Sequence, residues 1–253
     1  EFWFEGAAGA RVHGFLVKPP QFEAGKKYPV VFIIHGGPQG MFSRDFHERW
    51  NAQMFAAPGY VAVLIDPRGS TGYGQDFTDA INGEWGGNCY EDLIRGFDYV
   101  LDTYDYCDRE RTCAIGASFG GFMVNWMATQ TNRFKCFVSH DGIFNTEMMN
   151  WATDELWFTE WEFNGLPSEA RESYLQYSPH RLVHQIETPM LVIQGELDYR
   201  CTTGEGLGLF TALRRHGVDA RLLYFPDEGH WVLKPKNRKV WYKTVLDWIE
   251  KYI

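Results

Sequence analysis

Residues 112–131 read TCAIGASFGGFMVNWMATQT. An apolar, strand-like run from Thr112 to Ile115 leads straight into Gly116-Ala117-Ser118-Phe119-Gly120-Gly121, and a helical pattern carrying Met123, Val124 and Met127 follows. A serine held on so sharp a strand-to-helix turn has strained backbone angles. Small residues two before and two after it let strand and helix approach closely enough to expose its hydroxyl. The composition, with 26 Gly in 253 residues, yields only about 0.07 GxSxG matches by chance. Ser118 is therefore the candidate nucleophile.

Outward from this turn, β-branched and aromatic runs recur at Phe2 to Phe4, Val12 to Val17, Val30 to Ile34, Tyr60 to Ile65, Thr112 to Ile115, Phe137 to Ser139, Met190 to Ile193 and Arg221 to Phe225. Helical patterns over about 44–56, 88–104, 119–131, 203–216 and 236–252 separate the later ones. That alternation predicts an α/β fold, a mostly parallel eight-stranded sheet with helices on both faces. In the last helix Trp241, Val245, Trp248, Ile249 and Tyr252 form one apolar stripe. The segment 143–179 breaks the alternation, being long, aromatic and acidic, and reads as an excursion over the sheet edge. With no repeat or linker-like tract, residues 1–253 read as a single domain with that excursion inserted.

Composition narrows the partners. A chain of this length buries roughly 70–75% of its unfolded surface, and no apolar stretch approaches the ~20 residues of a membrane helix. Lys and Arg number 24 against 33 Asp and Glu, and a net charge of -9 repels a phosphate backbone, so neither membrane nor nucleic acid is an expected partner. The five cysteines show no CxxC pair, and neither a disulfide framework nor a zinc site is expected. The first residue is Glu1 and no basic-then-apolar leader precedes the first strand, so any signal peptide is expected to lie upstream.

A serine hydroxyl needs a base, and the base needs a carboxylate to hold its tautomer. In this strand–turn–helix context the chain order is Ser, acid, His. After the strand ending at Ile193 comes Gln194-Gly195-Glu196-Leu197-Asp198-Tyr199-Arg200, and after the last strand Pro226-Asp227-Glu228-Gly229-His230-Trp231. Both loops lie at carboxyl ends of strands, where parallel sheets place ligands. His13, His35, His47, His140 and His216 precede the nucleophile or sit on segments that do not match the order, and His180 and His184 precede the acid, which leaves His230. Glu196 and Asp198 both satisfy the acid position; Asp198 lies farther into the loop and is favoured. Oxyanion donors are expected from the backbone N–H of Phe119 and from the loop His35-Gly36-Gly37-Pro38, with Gly37 the candidate.

Together these motifs resemble the catalytic domain of the prolyl oligopeptidase family, especially its dipeptidyl-peptidase and acylaminoacyl-peptidase branches. The resemblance runs nearly end to end, through Tyr28-Pro29, His35 to Pro38, Asp66-Pro67-Arg68-Gly69-Ser70-Thr71-Gly72-Tyr73-Gly74, Gly116 to Gly121, Gly195 to Arg200 and Glu228-Gly229-His230. It implies an α/β-hydrolase fold and a serine peptidase acting on short peptides through Ser118, Asp198 and His230, with no metal or cofactor, and it selects Asp198 as the acid. It further implies that Arg200 grips a substrate carbonyl and that Cys201, Trp151, Trp157 and Phe158 line an apolar specificity pocket.

The chain departs from the family at Arg200-Cys201-Thr202, where many relatives read Arg-Val-Pro, and at Phe119, where many have Tyr. Some relatives use a tyrosine hydroxyl as an oxyanion donor where His35 stands, so here the Gly37 N–H takes that role and His35 shapes the loop. The family's N-terminal β-propeller is expected to be absent from this chain. A homo-oligomer through the last helix and its neighbouring strand, or association with such a propeller, are the assemblies the resemblance allows. Two other readings stay open: a free-standing carboxylesterase using the same triad on small esters, and a non-catalytic hydrolase-fold binding protein.

Overall fold

The computed structural model describes residues 1–253 and joins eight strands in one sheet. They are β1 (Phe2–Glu5), β2 (Arg11–Val17), β3 (Tyr28–Ile34), β4 (Val61–Asp66), β5 (Cys107–Ala117), β6 (Cys136–His140), β7 (Met190–Gly195) and β8 (Ala220–Phe225), in the order β1-β2-β4-β3-β5-β6-β7-β8. β2 pairs antiparallel with both β1 and β4, and every other pair is parallel. All eight strands lie where the sequence pattern predicts them. The register aligns Ile34 with Gly116, Ala117 with His140 and Gly195 with Phe225, so the loops after β3, β5, β6, β7 and β8 converge along one edge.

The helices are α1 (Ala52–Ala56), α2 (Gln75–Asp79), α3 (Asn88–Thr103), α4 (Phe119–Gln130), α5 (Thr146–Ala152), α6 (Leu156–Glu162), α7 (Arg171–Gln176), α8 (Thr203–Arg215) and α9 (Pro235–Tyr252). Successive strand residues point to opposite faces. Phe32 thus joins a core with Phe97 of α3, Phe122 of α4 and Leu209 of α8. Its neighbours Val31 and Ile33 join a second core with Phe55 of α1 and Trp241, Val245, Trp248 and Ile249 of α9. Both faces of the sheet are covered, and the predicted stripe of α9 is the buried one, with Tyr252 half-buried.

One predicted helix is shorter than its pattern. Residues 44–51 are irregular, and helix forms only over Ala52–Ala56. Trp50 takes a left-handed φ of 43°, which breaks the helical run, and the Asn51 side chain accepts the Gln53 N–H at 2.9 Å and starts a new helix there.

The excursion between β6 and β7 has no strand and holds α5, α6, α7 and a 3₁₀ segment at Pro179–Gln185. It covers the outer side of α4, where Trp126 meets Tyr177 edge-on at 5.5 Å and Asn125 donates to Ile143 O at 3.0 Å. A helix apolar all round needs such a cover; residues 119–129 of α4 are all buried.

Candidate active site

Ser118 joins β5 to α4 at φ 59°, ψ -123°, a conformation that costs of order 1–3 kcal/mol for a non-glycine residue and is kept only where its surroundings impose it. The flanking glycines are what allow it. A Cβ on Gly116 would lie 2.3 Å from Gly120 O, and one on Gly120 would lie 2.2 Å from Ile34 O. The Ser118 N–H donates to His140 O at 3.0 Å, tying the turn to β6.

The loops after β7 and β8 bring Asp198 and His230 together. Asp198 is buried; its Oδ1 accepts the N–H groups of Arg200 at 2.9 Å and Cys201 at 3.0 Å, and its Oδ2 accepts His230 Nδ1–H at 2.7 Å. That contact fixes the proton on Nδ1 and leaves Nε2 free to accept one. Glu196, the competing acid, is exposed. The two loops pack backbone to backbone: Leu197 N–H donates to Glu228 O at 2.9 Å, and a Cβ on Gly195 would strike Gly229 O at 2.3 Å. Glu228 braces the His230 loop by accepting the N–H groups of Leu233 at 3.1 Å and Lys234 at 3.0 Å. The Ser118 hydroxyl lies beside the Cys201 thiol, whose pKa burial pushes well up, with the Asp198 charge adding to it and Ser118 opposing.

A second carboxyl stands behind the first. Asp141, at the end of β6, has a left-handed φ of 46°, accepts Gly195 N–H at 3.2 Å and lies 2.9 Å from His140 Nε2. Atoms of Asp141, Asp198 and His230 fall within 4.8 Å of one another. Burial raises the Asp141 pKa, His140 opposes the shift and the Asp198 charge adds to it. In the sequence nothing marks Asp141 except its place at the carboxyl end of a strand.

The loop after β3 lies against the Ser118 turn, with a Cβ built on Gly36 only 3.0 Å from Ala117 O and 3.3 Å from Ser118 Cβ. Gly37 has φ 122°, which a side chain would resist. The N–H groups of Gly37 and Phe119 donate to no protein acceptor; the latter is one of the free donors at the start of α4. His35 holds the loop from below, its Nδ1 2.7 Å from Gly36 O and its Nε2 2.9 Å from Ser70 Oγ. Burial lowers the His35 pKa, with Asp66 opposing, so the ring is neutral at pH 7. Asp66 also accepts Tyr73 O–H at 2.6 Å and Phe42 N–H at 2.8 Å. From the excursion, Glu162 accepts Gln39 Nε2–H at 2.6 Å and Trp85 Nε1–H at 2.7 Å.

The remaining predicted residues are placed unevenly. Cys201 is fully buried next to Ser118. Arg200 pairs with Glu155 at 2.9 Å and reaches Asp154 at 3.9 Å, its Nε buried without a hydrogen bond. The excursion is fastened here, since Asp154 N–H donates to Tyr199 O at 2.8 Å. Trp151 and Trp157 are exposed on the excursion, whereas Phe158 is buried in the larger core 5.9 Å from Trp85.

The sequence profile of the Prolyl oligopeptidase family matches residues 44–253. The chain belongs to that family. It is 45% identical over 254 residues to dipeptidyl-peptidase 5 of Schizosaccharomyces pombe, covering 100% of this chain and 37% of that protein. It is likewise 45% identical over 256 residues to dipeptidyl-peptidase 5 of Aspergillus fumigatus, covering 100% and 35%. Among solved structures, acylaminoacyl peptidase of Pyrococcus horikoshii superposes with a TM-score of 0.93 at 30% identity, covering 100% of this chain and 41% of that one. An acylaminoacyl peptidase bound to Z-Gly-Gly-Phe-chloromethyl ketone gives 0.92 at 30% identity, covering 98% and 40%. The fold is the expected α/β-hydrolase fold. The chain spans little more than a third of the length of these curated relatives. No helix is long and apolar enough to cross a membrane.

Proposed function

We propose that this chain is the catalytic part of a serine peptidase that cleaves short peptides, of the dipeptidyl- or acylaminoacyl-peptidase kind. The observation that carries the reading is the 2.7 Å contact between a buried Asp198 and His230 Nδ1, on loops that converge with the strained Ser118 turn. In the reaction His230 Nε2 takes the Ser118 proton as Oγ attacks the scissile carbonyl. The oxyanion develops against the free N–H groups of Gly37 and Phe119, and His230 hands its proton to the leaving amine. Water then repeats the sequence on the acyl-enzyme. Asp198 holds the imidazole and stabilises its charged form.

Arg200, released in part from Glu155, grips a substrate carbonyl on the acyl side. Cys201 forms the floor of an apolar pocket beside Ser118, and Trp151, Trp157 and Phe158 of the excursion contribute to that side. A domain of the relatives' further length, or a second copy of the chain, would restrict access to the site. The same triad also serves a carboxylesterase.

The deciding experiment is the ratio of kcat/KM for a free-amino dipeptidyl p-nitroanilide to that for p-nitrophenyl butyrate, with Ser118→Ala as control. Anilide cleavage that disappears in Ser118→Ala is the expected result. Ester cleavage alone would point to the esterase, and activity on neither to a binding protein.

A further inference from the structure

The two faces of the sheet reach Ser118 from opposite sides. On the face covered by α3, α4 and α8 lie Cys201 and Phe158, both members of the larger core. On the other face a cavity of about 740 Å³ opens between the sheet and the loop at residues 40–53, with Ser118 in its wall. Its size falls within the roughly 300–1,000 Å³ of ligand sites. Phe15, Val17 and Leu64 line it from the sheet and Phe42, Trp50 and Trp231 from the loops, while neither Arg200 nor Cys201 reaches it. Trp231, the residue after His230, stands in its wall together with Ser118.

Arg49 is a cation of this wall with no acid paired to it. Its guanidinium lies over the Trp231 ring, 3.8 Å from the centroid. Of the acids nearby, Glu48 pairs with Arg238 at 2.9 Å and Glu1 with Arg44 at 2.6 Å, while the exposed Asp45 accepts Ser43 O–H at 3.0 Å. Burial, with the Arg238 charge added to it, lowers the Arg49 pKa, and no acid offsets either. A guanidinium stacked on an aromatic ring keeps its N–H fork free in the plane, the geometry that takes a carboxylate with two hydrogen bonds. In a chain of net charge -9, a free cation over an apolar cavity next to the nucleophile is complementary to an apolar segment that ends in an anion.

We propose that this cavity receives the leaving segment of the substrate and that Arg49 binds its terminal α-carboxylate, which selects short peptides with an apolar leaving residue and a free carboxyl end. The inference rests on the peptidase reading above. The C–N bond breaks as the Ser118 ester forms, the proton that His230 took from Ser118 passes to the leaving amine, and the amine departs with its carboxylate on Arg49.

The test compares a free-amino dipeptide followed by Phe, ending in a carboxylate or in a carboxamide, on the protein and on Arg49→Gln and Arg49→Lys. The expected kcat/KM ratio of acid to amide is about tenfold in the wild type. It should fall toward one in Arg49→Gln, lie between in Arg49→Lys, and shrink as salt is raised. A wild-type ratio of one, or a ratio that survives Arg49→Gln, overturns the inference. The dipeptidyl p-nitroanilide, which has no carboxylate, separates the two claims. Its Ser118-dependent cleavage with a flat ratio rejects the Arg49 subsite alone, and its failure removes the peptidase reading together with the subsite built on it.

Discussion

Asp198 uses both of its oxygens, one on the Arg200 and Cys201 N–H groups and one on His230 Nδ1. An Asp198→Asn side chain can keep the first pair of contacts, but it offers His230 an N–H where an acceptor stood. The imidazole is then driven to the tautomer protonated on Nε2, which cannot take the Ser118 proton. A fall in kcat on the order of 10⁴ is expected, with an unchanged denaturation midpoint; an activity within tenfold of wild type would contradict the role. At this scale much was legible. GxSxG and the histidine after β8 follow from local turn chemistry and chain order, whereas Glu196 and Asp198 both satisfied them and the family resemblance selected between the two. What was not legible depends on contacts distant in sequence: Asp141 meets Gly195 across 54 positions, and Glu162 reaches Gln39 across 123. Phe158 and Trp157 show the same limit. Adjacent aromatics of one excursion look alike in the sequence, yet one is 8% exposed and the other 68%.

At the scale of elements, the strands were legible because their apolar runs are short, β-branched and bounded by turns, and the long helices because their stripes match one face of the sheet. The helix expected over 44–56 was not, because a periodic pattern carries no warning of the left-handed Trp50. The short helices of the excursion lack a repeating stripe and depend on the pocket around Tyr174, whose hydroxyl lies 2.9 Å from both Asn150 Oδ1 and Gly165 O. The run from Asp66 to Gly74 is also explained at this scale. Arg68 is clamped by Asp92 of α3 at 2.9 Å and 3.0 Å, Asp92 also accepts Ala7 N–H at 2.7 Å, and Arg68 in turn donates to Ala7 O. Asp92→Ala leaves a buried guanidinium without its partner, for an expected loss of about 3–5 kcal/mol in denaturant unfolding. A loss below about 1 kcal/mol would mean that the pair is solvated in solution.

For the whole molecule, one buried acid ties the start of the excursion to α8. Glu205 of α8 accepts the N–H groups of Phe144 and Asn145, each at 2.7 Å, and burial raises its pKa from 4.5 to about 7, the two hydrogen bonds opposing the shift. Between those values the folded chain holds a proton that the unfolded chain has released, so this group's contribution to stability declines as pH rises from 4.5 to about 7. Glu205→Gln keeps an acceptor for both N–H groups and cannot ionise. The stability of wild type relative to this variant should therefore fall by up to about 3 kcal/mol across that window, and a difference that stays constant with pH would contradict the shift. The central claim is that Ser118 is a nucleophile driven by His230. It is tested most directly by labelling the protein with a fluorophosphonate and mapping the adduct by mass spectrometry. One adduct per chain, on Ser118, formed quickly in the wild type and hardly at all in His230→Ala, is the predicted result; an adduct on another residue, or labelling indifferent to His230, would contradict it.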